Sequence, residues 1–237
     1  MFWDSTMLLL VPGMLLAVWA QTKVSSAYAK YSKIGTRSGL TGAEVAQRIL
    51  RDADVAITGS PQTAGALKAV AGIEPIGGQM TDHYDPGSRI LRLSEDVYNG
   101  QSIAALGIAA HEVGHAIQHA RAYAPLLLRG YIYPTCAFGQ WLSLPILIMG
   151  MVFASPSLVM LGILLFSVVV AFTVITLPVE FDASRRAILA LERGGYLEPD
   201  ELQGAKKVLN AAALTYVAAA VTAILSLLRL ILISRRD

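Results

Sequence analysis

The run His111-Glu112-Val113-Gly114-His115 sets two imidazoles four residues apart with a carboxylate between them. On a helix, residues four apart stand one turn, about 6 Å, along the axis and on nearly the same face. Two imidazoles so placed can reach one zinc ion at about 2.0–2.1 Å. Glu112 can then take a proton from an attacking water, while the ion supplies the Lewis acidity that a carbonyl oxygen needs. Gly114 costs a helix about 1 kcal/mol relative to Ala, and its missing side chain lets neighbouring backbone or substrate come close to the ion. The alternative, surface His and Glu on an amphipathic helix, conflicts with the context. Residues 103–110 are apolar on every side of a helix, and a helix apolar all round is buried. Ionisable groups that continue such a helix have to be paired or metal-bound.

A catalytic zinc takes three protein ligands and keeps a fourth position open. His119 continues the same face but lies about 12 Å from His111 along the axis, too far for one tetrahedral ion, so it orients another group or faces solvent. His83, in Thr81-Asp82-His83-Tyr84-Asp85, is a second source, with a supporting or substrate-facing role as its alternative. Glu180 is the third and favoured source. It directly follows a long apolar run, where a carboxylate is costly unless used; its alternative role is a salt bridge to Arg185 or Arg186.

The elements that must position these residues follow from where charge is missing. Hydrophobic residues make up 54% of the 237-residue chain and charged residues only 15%, against about 25% in soluble domains. Residues 130–179 contain no Asp, Glu, Lys or Arg. One span needs about 20 apolar residues, so this run holds two, 131–153 and 158–178, divided by the turn residues Ala154-Ser155-Pro156-Ser157. A further apolar run covers 208–234, with Arg229 close enough to its end to snorkel. The weakest, 5–22, lacks the basic start of a cleaved signal peptide and is expected to stay as a span. A net charge of +2 gives no reason to expect nucleic acid. The single cysteine, Cys136, excludes an internal disulfide framework and reads as a buried thiol.

The expected fold is mainly α: a multi-span membrane protein with about four transmembrane helices and a small α+β zinc peptidase domain on one membrane face. The expected division is 1–22 first span, 23–129 peptidase domain, 130–179 membrane hairpin, 180–209 third-ligand helix and loop, and 210–237 last span and tail. Lys23, Lys30, Lys33, Arg37, Arg185, Arg186 and Arg193 flank the polar segments, whereas only Arg235 and Arg236 stand at the other end of the last span. The positive-inside rule therefore puts the peptidase domain in the cytoplasm. Within it, Thr41 and Glu44 form a capping box ahead of a helix with Val45, Ile49 and Leu50 on its apolar face. Residues 59–78 read as loop with a short helix, 85–88 as a turn, 89–93 as a strand, 102–120 as a long helix, and 198–201 as a helix start.

Four segments carry a resemblance. Thr81-Asp82-His83-Tyr84-Asp85-Pro86, His111-Glu112-Val113-Gly114-His115-Ala116-Ile117-Gln118, Leu177-Pro178-Val179-Glu180-Phe181-Asp182-Ala183-Ser184 and Ala211-Ala212-Ala213-Leu214-Thr215-Tyr216-Val217 resemble the YugP-type family of bacterial membrane zinc metallopeptidases. The resemblance implies a neutral zinc protease of the bacterial plasma (inner) membrane. The arrangement is also similar to the wider gluzincin class, including membrane peptidases related to HtpX, in which the third ligand is a Glu on a later helix, matching Glu180. Those relatives carry an Asp four residues after that Glu to support a zinc-binding His. This chain has Ser184 there and Asp182 two residues after the Glu, so Asp182 is the candidate for the supporting role. The strand 89–93 resembles the edge strand on which such enzymes lay an extended substrate.

The mechanism expected is peptide-bond hydrolysis at the membrane surface. His111, His115 and Glu180 hold one zinc ion, Glu112 is the general base, and His83, Tyr84 or Tyr216 donates to the oxyanion. The partners expected are a protein or peptide substrate, membrane lipid, and a membrane-protein complex or second copy, with no nucleic acid. A zinc-binding scaffold or assembly partner without catalysis is the alternative, since small-residue faces such as 211–213 and 218–220 suit helix packing. A transporter fits poorly, because the spans hold almost no ionisable groups at mid-membrane.

Overall fold

The fold was obtained as a computed structural model that describes residues 5–235; Arg236, counted above among the terminal charges, lies outside them. A 3-10 turn at Ser5–Leu9 leads into α1 (Leu10–Tyr31). There follow α2 (Gly42–Asp52), α3 (Pro61–Leu67), β1 (Gly72–Ile76), β2 (His83–Asp85), β3 (Ile90–Ser94), α4 (Glu95–Tyr98) and α5 (Ile103–Ala120). Three long helices complete the chain: α6 (Ala124–Val152), α7 (Pro156–Arg193) and α8 (Pro199–Ser234). The protein is mainly helical, and four of its helical stretches are long and apolar enough to cross a membrane: Ser5–Tyr31, Ala124–Val152, Pro156–Arg193 and Pro199–Ser234.

Contacts divide the chain into two units. One comprises the chain up to Thr22, Leu127–Pro178, and the chain from Leu214. Its helices approach one another at small residues. A Cβ on Gly13 would lie 2.9 Å from Thr222 Oγ1, and one on Gly150 would lie 2.7 Å from the Val159 nitrogen. Trp141 and Tyr131, by contrast, project outward, 82% and 80% exposed, as side chains that meet lipid would. Cys136 is a buried free thiol. Ala154 takes a positive φ of 46° in the turn between α6 and α7, and Pro156 opens α7, where its missing N–H and fixed φ are tolerated.

The other unit, Lys23–Leu126 with Val179–Ala213, holds the polar residues. Local chemistry sets its elements. Thr41 Oγ1 accepts from the Glu44 N–H at 3.2 Å, and Glu44 Oε2 accepts from the Thr41 N–H at 2.8 Å. This closes the capping box of α2 and turns Val45, Ile49 and Leu50 into the core. Ser102 caps α5 by accepting from the Ala105 N–H at 3.2 Å. Leu106 and Val113 of α5 are fully buried with Leu50, Leu91 and Leu191. The two chain segments are tied by Arg37, whose guanidinium donates to both Asp200 oxygens at 2.8 and 2.7 Å and whose N–H donates to Glu201 at 2.8 Å.

The sheet has the order β1-β3-β2. β1 runs parallel to β3 from Gly72↔Ile90 to Ile76↔Ser94, and β2 runs antiparallel to it from His83↔Arg92 to Asp85↔Ile90. This corrects the expectation for the strand around 89–93. It is the central strand, with Leu91 and Leu93 fully buried, and the edge strand beside α5 is β2. β1 was expected as loop. It carries Pro75 and an exposed Glu74, and it keeps the proline at a sheet edge, where a missing N–H is tolerated.

Candidate metal centre

α5 carries His111 and His115 one turn apart, and α7 carries Glu180 on the stretch that packs against α5. The crossing is close because Gly114 has no side chain: a Cβ there would lie 2.6 Å from the Ala183 carbonyl oxygen. Ala183 is one turn on from Glu180, so this contact brings the carboxylate within reach of both rings. Glu180 Oε2 stands 3.3 Å from His111 Nε2 and 3.5 Å from His115 Nε2, with side chains 3%, 14% and 11% exposed. The ring centroids are 4.8 Å apart, nearly perpendicular at 85°. One ligand atom from each residue lies within 4.8 Å of the others, so the group could hold a metal ion. Ligands bound at about 2.0–2.1 Å to a tetrahedral ion are about 3.3 Å apart, which the two carboxylate–imidazole distances match.

The ring nitrogens facing away from Glu180 fix which atoms are free to bind. Gln118, fully buried, donates from Nε2 to the Val179 carbonyl at 2.8 Å and to Asp182 Oδ2 at 2.9 Å. Two acceptors on that side fix the amide orientation, so Oε1 faces His115 Nδ1 at 3.1 Å. A carbonyl oxygen can only accept, so Nδ1 carries the proton and Nε2 keeps its lone pair for the centre. Ser184 Oγ stands 3.1 Å from His111 Nδ1 and can act on the other ring in the same way. Asp182 is held by Arg186 Nε at 2.5 Å and by Arg185, so it reaches His115 only through Gln118. Arg185 and Arg186 therefore pair with Asp182.

Glu112 is nearly buried and lies on the strand side of α5. Its Oε2 accepts the Tyr84 N–H from β2 at 3.0 Å. Burial pushes its carboxyl above the usual carboxylate range, against the opposing pull of His111 and His115. The remaining candidates fall in different places. His83 is exposed on β2 with Nδ1 2.7 Å from the Thr81 carbonyl, so in the neutral ring Nε2 is an acceptor. The Tyr84 hydroxyl is 3.0 Å from His119 Nδ1, and burial raises its pKa to about 12. His119 is outside the metal group, with its pKa lowered by burial and by the charge of Arg89. Tyr216 belongs to the unit of apolar helices and is 37% exposed.

Two members of the site went without a role in the sequence reading, Gln118 and Ser184. Gln118 lies three residues after His115 and Ser184 four after Glu180, the spacings at which helical side chains meet. That periodicity was the available signal.

Comparison with known proteins finds similarity over nearly the whole chain. A family described as "Putative neutral zinc metallopeptidase" matches residues 6–235. The chain is 46% identical over 225 residues to a protein of Bacillus subtilis (strain 168) named "Putative membrane protease YugP", covering 95% of this chain and 94% of that one. No solved structure matches. The match over nearly every residue, together with this level of identity, shows that the chain belongs to this neutral zinc metallopeptidase family.

Proposed function

We propose that the protein is a membrane-integrated, zinc-dependent endopeptidase of the gluzincin type that hydrolyses peptide bonds near the membrane surface. The observation that carries this reading is the convergence of three lone-pair donors from His111, His115 and Glu180 within 4.8 Å of one another, with Glu180 Oε2 3.3 and 3.5 Å from the two Nε2 atoms. Two neutral imidazoles and one carboxylate form a zinc-peptidase donor set with a position left for substrate. Zinc held by these three residues supplies Lewis acidity to the scissile carbonyl and to water.

The chain's own residues supply the proton transfers. Glu112 directs one oxygen at the Tyr84 N–H and keeps Oε1 for the proton of the attacking water. It then returns that proton to the leaving amine. Burial raises its pKa above the ordinary carboxylate range, the direction that favours taking up the water's proton. Gln118 and Ser184 hold the two rings in the tautomer that binds. The exposed His83, next to Tyr84 on β2, is the candidate to face substrate and donate to the oxyanion. The localisation proposed is the bacterial plasma membrane, with the peptidase unit cytoplasmic, supported by the basic residues that flank it.

The experiment is Glu112→Gln in the full-length protein. Cleavage of a fluorogenic peptide library should be abolished while zinc stays bound at one ion per chain by elemental analysis. Unchanged cleavage refutes the base assignment. Full zinc loading of the native protein with no turnover of any library peptide would identify a zinc-binding scaffold instead.

A further inference from the structure

β2 is three residues long, and short strands do not hold themselves. It is flanked by Gly78 at a φ of 99° and Met80 at 56° on one side and by Pro86-Gly87 on the other. Its ends are pinned to β3. Asp82 accepts from the Ser94 N–H at 2.8 Å, and Asp85 accepts from Arg92 at 3.0 Å and from Ser88 Oγ at 2.6 Å. Its middle residue, Tyr84, is attached to α5 twice. The backbone N–H donates to Glu112, and the hydroxyl is hydrogen-bonded to His119 Nδ1 at 3.0 Å. The two rings meet edge-on with centroids 5.8 Å apart.

Glu112 and His119 are seven residues apart, two turns of α5, and therefore lie on one face with about 10 Å between them along the axis. That separation accommodates a tyrosine lying along the helix, amide at one end and hydroxyl at the other. The ring is 7% exposed, so water does not compete for the far contact.

We infer that His119 is a positioning residue for Glu112: it holds the Tyr84 hydroxyl, and Tyr84, fastened to α5 at both ends, presents its N–H to the carboxylate. The contact fixes which Glu112 oxygen faces the substrate side. Its catalytic consequence rests on Glu112 being the base; its structural consequence does not.

The test uses detergent-solubilised full-length protein, fluorescein-labelled casein as the probe, and two readouts. His119→Ala and Tyr84→Phe should each lower kcat about five- to tenfold, the worth of one buried hydrogen bond. KM and zinc stoichiometry should stay unchanged. The double variant should be no slower than either single one, because both remove the same contact. His119→Asn, which keeps a polar group near the Nδ1 position, should restore most of the rate. Independently, hydrogen exchange of the amides at 81–85 should speed up in His119→Ala and Tyr84→Phe and return in His119→Asn. Wild-type kcat and wild-type exchange in His119→Ala would overturn the inference, as would losses that multiply in the double variant. If the native zinc-loaded protein cleaves nothing, the base reading fails, and the exchange rates alone decide the clamp.

Discussion

Ser184 Oγ lies 3.1 Å from Nδ1 of His111, so a hydroxyl rather than a carboxylate stands behind this ring. A hydroxyl fixes the ring's orientation but brings no negative charge to strengthen its Nε2 as a donor. Ser184→Ala should weaken zinc binding about tenfold, and Ser184→Asp should tighten it relative to the native protein. Competition with a chromogenic chelator measures both, and an order Ala ≥ Ser ≥ Asp in affinity would contradict the assignment.

Gly114 and Gly107 lie on the same helix, two turns apart, and should respond oppositely to alanine. At Gly107 the new Cβ meets Ala205, its Cβ at 3.4 Å and its Cα at 3.7 Å, both ordinary contacts. The gain in helix propensity, about 1 kcal/mol, should then be kept or slightly eroded. At Gly114 the Cβ would meet backbone at 2.6 Å, and backbone cannot rotate away. Gly114→Ala should cost about 1–3 kcal/mol of stability and lower zinc stoichiometry, because α7 has to retreat with Glu180 on it. Thermal unfolding and metal analysis of the two variants make the comparison.

Gln118 is a fully buried amide with three hydrogen-bond partners, His115 Nδ1, the Val179 carbonyl and Asp182 Oδ2. Gln118→Leu keeps the volume but leaves the Val179 carbonyl and the His115 Nδ1–H without this partner. The expected loss is about 1–3 kcal/mol in unfolding free energy, together with about a 10- to 100-fold fall in zinc affinity. A variant that unfolds and binds zinc like the native protein would show that the amide is a bystander.

His119 gives the pH dependence a sign. Its folded pKa lies below the ordinary 6.5, through burial first and the Arg89 charge second. Between the folded value and 6.5 the unfolded chain therefore binds the proton that the folded chain refuses. The stability contribution is fully present above 6.5 and is lost as pH falls from 6.5 toward the folded value. Unfolding midpoints measured at steps from pH 7.5 to 5 should decline more steeply for the native protein than for His119→Asn. Equal slopes would mean that His119 titrates as it does in water.

Much of this architecture was legible before any coordinates. Thr41 and Glu44 announced the start of α2 because a capping box is local chemistry, and the uncharged runs announced the long helices because hydropathy is also local. What escaped was non-local. β1 carries Pro75 and Glu74 and becomes a strand only because β3 lies alongside it in parallel. The strand at β3 was placed at an edge because nothing in residues 89–93 reveals that β1 and β2 flank it. At the candidate site, the spacing of His111 and His115 was readable on one helix. The interposed amide of Gln118 was not, because its task depends on a carbonyl contributed by Val179, far along the chain.

The unit that holds the His pair and Glu180 is assembled from two stretches of chain, Lys23–Leu126 and Val179–Ala213, with Leu127–Pro178 made in between. A ribosome finishes both histidines and the glutamate between them well before it reaches the third donor. Every nascent chain shorter than 180 residues thus has at most two of the three donors, and any activity that needs all three has to wait until the intervening hairpin has been synthesised. Translation order alone delays the onset of such an activity in each new molecule.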